Sequence, residues 1–463
     1  MKQKPAIATA VALTAAAAAT LWPASANDEL LPAARSSQGR ALAPGAHREG
    51  ELIVAFRESV SEADMERALR AGGAVGARRS RFGPRVLVEL EPGVSATAAA
   101  LRYSAMPGVA WAEPNGLIWV DQGATFRPND PFFGFQWNMK QVNAERTWGI
   151  QKGSSSVAVA VLDTGVAFED YIDPRTGQVF RKAPDWGDTR FLPGHDFFND
   201  DAHANDDHQH GTHVASTVAE GTNNALGLAG LAFGCAIMPV KVLGGNGVGS
   251  FFALAEGIDY ATSYTEGGAR PVRVINLSLS SSGFNQTVKA ALDRATAAGV
   301  IIVASAGNNG ASSVNFPADQ PNVVAVGALN AAKQKAWYSN TGPELDFVAP
   351  GGDCDRDDDA DGTGDCVFQQ TLRRSSVLAG RYDDFCYCGF QGTSMAAPHV
   401  SASAALLFSQ GFTDAASVRA VLEQTAERLG GAATGGRNDT FGNGLVLPAA
   451  ALPGLGFNVG TKK

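Results

Sequence analysis

The sequence predicts an α/β protein whose main body is a doubly wound, mostly parallel sheet flanked by helices, preceded by a small α+β module of ferredoxin-like pattern. Two observations point there. The first is a recurrence of apolar, β-branched runs at Val157–Leu162, Ile237–Leu243, Val272–Leu277, Val300–Val303 and Val323–Val326. These runs are nearly continuous instead of alternating, as strands covered on both faces are. Helical stretches lie between them, among them Phe251–Tyr260 and Asn285–Ala298. Strand-helix alternation sustained over residues 128–452 argues one large parallel sheet, and such sheets carry their chemistry at the carboxyl ends of the strands.

The second observation is a different texture over residues 51–120. Leu52–Phe56 reads as a strand, and Ser61–Ala71 as a helix opened by Ser61-x-x-Asp64, a capping-box pattern. A strand is expected within residues 74–82. Arg85–Leu90 alternates as a half-buried strand. Ser95–Tyr103 is a second helix and Val109–Ala112 a last strand. The resulting order, βαββαβ, is the ferredoxin-like one.

Composition narrows the function. The chain has 463 residues, 45% hydrophobic and 18% charged, which is ordinary for a protein with a sizeable core and excludes wholesale disorder. Its net charge of −9 argues against a nucleic-acid binder, which neutralises phosphates with clustered Lys and Arg. At the N-terminus, Lys2 and Lys4 precede the apolar run Ala6–Leu21 and then Ala24-Ser25-Ala26. That order is a secretory signal, placed at residues 1–26. The run is Ala-rich, meets Pro23 and is short for a membrane span, and no later stretch approaches one. The mature protein is expected to be exported, free of the membrane and monomeric. Residues 27–50 and 121–127 read as linkers and 453–463 as a short tail.

Five cysteines accompany this signal. Cys354, Cys366, Cys386 and Cys388 crowd one stretch, and outside the cytosol such a cluster forms disulfides. Cys386 and Cys388 are too close to pair easily, so each is expected to bond to Cys354 or Cys366, in an order left open. Cys235, among apolar residues and without a neighbouring base, reads as a buried free thiol.

Three segments break the apolar pattern where a parallel sheet would place an active site. Asp163 ends the first strand in Leu162-Asp163-Thr164-Gly165, His210 opens a helix in His210-Gly211-Thr212-His213, and Ser394 opens another in Gly392-Thr393-Ser394-Met395-Ala396-Ala397-Pro398-His399. A hydroxyl nucleophile needs a base within hydrogen-bond reach, and the base needs a carboxylate to fix its tautomer. At the start of a buried helix Ser394 would also have free N–H groups and the positive dipole end beside it. Pro398 is expected in the first turn, where its missing N–H is harmless. Alone, Ser394 reads equally well as an N-cap.

The three blocks together resemble the signature segments of the subtilisin-like serine proteases, in that family's order of Asp, His and Ser. A fourth, Ala304-Ser305-Ala306-Gly307-Asn308-Asn309-Gly310, resembles the segment with the family's oxyanion asparagine. The likeness covers residues 128–452, and residues 51–120 resemble the family's inhibitory prodomain. It implies Ser394 as nucleophile, His210 as general base and then acid, Asp163 as orienting carboxylate and Asn308 as oxyanion donor. His213 matches the motif's second histidine, which is not the base. The implied activity is endopeptidase action on extended polypeptides, by an enzyme made as a zymogen, inhibited by its own prodomain and cut within residues 120–128.

The resemblance extends to substrate and metal sites. Ser278, Leu279 and Ser280 resemble the edge segment that pairs with an extended peptide, and Gly247, Val248 and Gly249 its partner on the other side. An added β-strand gains main-chain hydrogen bonds with little sequence demand. Where the family usually has glycine at the S1 pocket, this chain has Ser280 and Asn315, which implies a shallower pocket. Asp196 and Asp201, in an acidic loop before His210, resemble calcium ligands of thermitase-like members. Asp130 and Asn224 resemble a second calcium site, whose expected carboxylate from the segment after Asp163 does not align because residues 169–190 look inserted. A further insert, residues 351–391, contains Asp357-x-Asp359-x-Asp361-Gly362, the opening of an EF-hand-like loop, with Phe368 where the closing Glu belongs.

Overall fold

The computed structural model describes residues 12–13, 47–116, 125–430 and 436–452. Nearly all of the predicted signal, most of both linkers and the tail lie outside them. Residues 47–116 and 125–452 belong to two compact units. In the N-terminal unit a four-stranded antiparallel sheet runs in the order Ala74–Arg79, Arg85–Leu90, His47–Phe56, Val109–Gly116. Helices Glu62–Ala71 and Ala96–Ser104 complete the expected βαββαβ order. Leu52, Val54, Val86, Val88, Leu69 and Tyr103 share its core. Ser61 starts the first helix by accepting the Asp64 N–H at 3.2 Å and donating its hydroxyl to the Asp64 carboxylate at 2.5 Å.

The second unit holds a seven-stranded, wholly parallel sheet in the order Phe347–Pro350, Val323–Leu329, Ile301–Ser305, Val272–Leu277, Ala158–Asp163, Ala236–Lys241, His195–Asp196. Every residue of Ala158–Asp163 and Ala236–Lys241 is buried, which explains their unbroken apolar runs. Helices His210–Ala219 and Thr393–Ser409 pack on each other and on the sheet, and Phe251–Ser263 pairs with Gln286–Ala297. The chain first lays down the interior strand Ala158–Asp163 and only later builds outward on its far side, so the strand order reverses beside Asp163. That reversal leaves a crevice at the carboxyl ends.

Within the insert, strands Val367–Leu372 and Phe385–Phe390 pair antiparallel. Here the structure corrects the expected disulfides: Cys354 bonds to Cys366, and Cys386 to Cys388. Cys386 and Cys388 are alternate residues of one strand, so both side chains leave the same face. Their Cα atoms lie 5.4 Å apart, within the span a disulfide bridges. Cys354 and Cys366 close the neck of the acidic loop beside an Asp353–Asp365 bridge, with Cα atoms 4.6 Å apart. Cys235 is free and buried, and burial pushes its thiol pKa up. No helix among the described residues is long and apolar enough to cross a membrane.

Candidate active site

Asp163 closes a buried strand and His210 opens the helix His210–Ala219. The two ends meet, with His210 Nδ1 2.7 Å from Asp163 Oδ1. The same oxygen accepts the Thr164 N–H at 2.7 Å, while Asp163 Oδ2 is buried with no partner. Burial alone would push the His210 pKa down, but the charge and hydrogen bond of Asp163, with the charge of Asp206, outweigh it and raise the pKa. This approach requires glycine at position 211, because a Cβ there would lie 2.1 Å from the Gly165 carbonyl oxygen.

Asp206, one of the acids before His210, anchors this corner. Its Oδ1 accepts from the Thr164 hydroxyl and the backbone N–H groups of His208 and Gln209 at 2.9–3.0 Å. Its Oδ2 takes both the N–H and the hydroxyl of Thr212. The carboxylate thus takes the N–H groups of Gln209 and Thr212 at the helix start, while the Gly211 N–H donates to the Thr164 hydroxyl. In Asp206→Ala these buried donors lose their partner, and stability is expected to fall by about 3 kcal/mol or more, read by urea denaturation.

Ser394 stands second in the helix Thr393–Ser409, whose N-cap is Gly392, so it is not an N-cap. Its hydroxyl donates to the Ser278 carbonyl at 3.1 Å. Pro398 also departs from expectation: it lies inside the helix, beyond the first turn. Proline lacks the N–H that would bond four residues back, which frees the carbonyl of Ser394. The Ser278 hydroxyl donates to that carbonyl at 2.7 Å, and itself accepts from Asn276 Nδ2 at 2.9 Å. Ser401 completes the chain by donating to Asn276 Oδ1 at 2.8 Å. The backbone of Ser394 is held by a buried polar relay from the neighbouring strand.

Asn308 follows the strand Ile301–Ser305. Its Oδ1 accepts the N–H of Thr393 at 2.8 Å and the Thr393 hydroxyl at 2.9 Å, which fixes the amide with Nδ2 free to donate. Asn308, His210 and Ser394 line one cavity of about 310 Å³. A larger cavity of about 750 Å³ shares His210 and is walled by Ser278, Leu279 and Ser280 on one side and Gly247, Val248 and Gly249 on the other. Asn315 lines neither, but its amide reaches the Ser280 hydroxyl at 3.5 Å. His213 is fully buried, stacked on Phe390 at 4.3 Å, with its pKa pushed by burial to about 3.

Residues 154–444 match the subtilase family (peptidase S8), and residues 34–115 match the fervidolysin N-terminal prodomain. The chain belongs to the subtilases. It is 36% identical over 392 residues to a thermophilic serine proteinase of Bacillus sp. (strain AK1), covering 84% of this chain and 85% of that protein. Thermitase of Thermoactinomyces vulgaris is 33% identical, with 67% of this chain and 95% of the relative covered. A solved protease from Pseudoalteromonas arctica, 32% identical, superposes with a TM-score of 0.59 over 70% of this chain and 98% of that one. The protein is therefore a subtilisin-like serine protease with a prodomain.

Acidic groups gather in three places among the described residues. Asp130 accepts the backbone N–H groups of Asn223 and Asn224 at 2.7 and 3.0 Å. Asn224 Nδ2 donates at 2.8 Å to Asp185, a residue the sequence analysis missed because it lies in the segment read as an insertion. The dipeptide Pro184-Asp185 in that segment was the available signal. Asp185 is fully buried, and burial raises its pKa to about 6. Beside it Glu220, also fully buried, keeps Oε1 without a partner, and burial with the charge of Asp185 pushes its pKa well up. No lysine or arginine among the described residues pairs with these three acids. Such an excess of buried negative charge fits a cation. The second place holds Asp196 and Asp201, hydrogen-bonded across a short bridge. Asp357, Asp359 and Asp361 bring their oxygens within 4.8 Å of one another at an exposed loop.

Proposed function

We propose that this subtilase is an exported endopeptidase that hydrolyses extended polypeptides through Asp163, His210 and Ser394. The observation that carries the reading is the pairing of buried Asp163 with His210, beside an oriented Asn308 amide, around the cavity that Ser394 lines. The Ser394 hydroxyl rotates from the Ser278 carbonyl toward His210 Nε2, a tightening common when substrate binds. Ser394 Oγ attacks the scissile carbonyl carbon as its proton passes to Nε2. Asp163 holds the other ring proton on Nδ1 and stabilises the imidazolium. Asn308 Nδ2 and the Ser394 N–H donate to the oxyanion. His210 returns its proton to the leaving amine, whose C–N bond breaks to leave an acyl-enzyme. Water then repeats the sequence, giving the free acid and regenerating Ser394.

In the same reading the substrate strand lies between Ser278–Ser280 and Gly247–Gly249. Ser280, with the Asn315 amide behind its hydroxyl, narrows the S1 pocket, so Asn315→Gly is expected to raise kcat/KM for Phe over Ala at P1 by about 10-fold, the scale on which pocket volume discriminates. A P1 profile already led by Phe or Tyr in the wild type contradicts this. The N-terminal unit acts as an intramolecular inhibitor until the chain is cut within residues 120–128. Mass spectrometry of the exported product tests both claims beside casein hydrolysis. Wild type is expected to lose everything before about residue 128 and to digest casein, whereas Ser394→Ala does neither. Identical processing of both without casein cleavage overturns the reading.

Calcium belongs to the proposal as a structural ion. Asp130, Asp185 and Asn224 would hold it, and it would supply positive charge to buried carboxylates far from the reacting bond. A chelator is expected to lower Tm, since an ion at 100 times its Kd stabilises by about 2.7 kcal/mol. Asp185→Asn is expected to abolish that calcium response.

A further inference from the structure

We propose that the guanidinium of Arg175, bound to Asp201, takes the place of the calcium expected at Asp196 and Asp201 in the loop at residues 196–207. This loop then binds no calcium while Arg175 is in place. Arg175 lies in the hairpin of Tyr171–Ile172 and Val179–Phe180. Its Nη2 donates to Asp201 Oδ2 at 2.5 Å, its Nε to Asp173 Oδ1 at 3.3 Å, and its Nη1 to the Asn199 carbonyl at 3.5 Å. A planar fork that spans carboxylate and carbonyl oxygens is what arginine offers and lysine does not.

Every carboxylate oxygen of Asp196 and Asp201 has a donor, as at Asp130 and Asp185, but here cations are also in place, Arg175 on Asp201 and Lys241 on Asp207. Calcium takes six to eight oxygens. Asp196 Oδ1 accepts the N–H groups of Phe198 and Asn199, and its Oδ2 accepts the Asn199 amide, all at 2.8 Å. Asp201 Oδ1 accepts the His203 N–H at 2.9 Å. With Oδ2 on Arg175, neither carboxylate keeps an oxygen without a donor. A guanidinium carries half the charge of Ca²⁺, and the ammonium of Lys241, which pairs with Asp207 at 2.6 Å and lines the same cavity as Asp196 and Asp201, supplies a second positive charge.

The hairpin also does by protein contact what an ion would do for the loop. The Tyr171 ring stacks on His203 with centroids 3.6 Å apart and planes at 11°. Glu169 Oε1 accepts from Asn205 Nδ2 at 2.9 Å and lies 2.9 Å from His203 Nδ1. Residues 199, 201, 203 and 205 are thereby fixed from one side, immediately before Asp206 and His210. Asn205 Oδ1, buried without a partner, lines the same cavity of about 460 Å³ as Asp173 and Asp201. Withdrawing the guanidinium leaves the Asp173 and Asp201 carboxylates and the Asn199 carbonyl without their cation, the conditions a calcium ion meets.

Bound calcium is counted by equilibrium dialysis against radioactive calcium, using the full chain with Ser394→Ala so that self-cleavage is absent. Tm is read with and without chelator. Asp201→Asn is expected to leave the count unchanged. Arg175→Gln is expected to raise it by one and to make Tm newly calcium-dependent by several degrees. Arg175→Lys, which keeps a cation and guards against misfolding of the first variant, is expected to gain no ion. Loss of one calcium in Asp201→Asn overturns the proposal, as does an Arg175→Gln chain whose count stays the same. Asp185→Asn, expected to lose one, reports separately on the calcium reading of the Asp130 site.

Discussion

Replacing Ser394 by alanine is expected to lower kcat for peptide hydrolysis by about 10⁶-fold, the scale known for subtilisin. The substitution removes one oxygen from a helix start whose other contacts remain. Gly392 still caps the helix, and the Ser278 hydroxyl still holds the backbone carbonyl of residue 394. Folding should therefore be intact, and the loss should fall on kcat with KM nearly unchanged. His210→Ala is expected to cost about as much, and the double variant no more than either, because nucleophile and base act as a unit. The residual rate above water, about 10³-fold, then reports Asn308 and substrate binding alone. Additive losses in the double variant would contradict a shared mechanism. Steady-state kinetics on a chromogenic peptide measures all three.

Asp163→Asn is expected to lower kcat by about 10⁴-fold while leaving the fold in place, again on the scale of related triads. The carboxylate is fully buried, and its Oδ1 holds both the Thr164 N–H and His210 Nδ1. An amide presents its N–H₂ to Nδ1 and favours the wrong imidazole tautomer. The pH profile separates this from simple loosening. General-base action needs neutral His210, so wild-type kcat/KM falls as pH drops through a pKa above the ordinary 6.5. In the variant the charge of Asp163 is gone while burial and the charge of Asp206 remain, so the midpoint is expected to fall below that of the wild type. An unchanged midpoint would mean that Asp163 does not govern His210.

What was legible in the sequence follows from how local each cause is. The buried strands and the helix around Ser394 announce themselves because burial on both faces fixes composition residue by residue. Asp163 and His210 were readable because one stands where an apolar strand ends and the other where a helix opens, whereas Asn308 was legible only through the likeness of its segment to the family's. Contacts made across the fold were not readable. Asp185 lies beyond a hairpin that obscured its register with the Asp130 segment, and only folding brings it to Asn224. Asp206 was one acid among seven acidic and amide residues, and nothing local shows that it anchors Thr212. The pairing of Cys386 with Cys388 depended on their sharing a strand face, and spacing alone argued the reverse. Pro398 misled similarly, since the donor to the carbonyl it frees comes from Ser278, just past the end of the strand Val272–Leu277.

The most direct measurement is to treat the processed chain with a serine-directed phosphonylating reagent and to map the adduct by peptide mass spectrometry. A single adduct on Ser394, absent when His210 is alanine and accompanied by loss of casein hydrolysis, is the expected result. Hydrolysis lost without modification of Ser394, or an adduct confined to another serine, would contradict the assignment of the nucleophile and with it the mechanism.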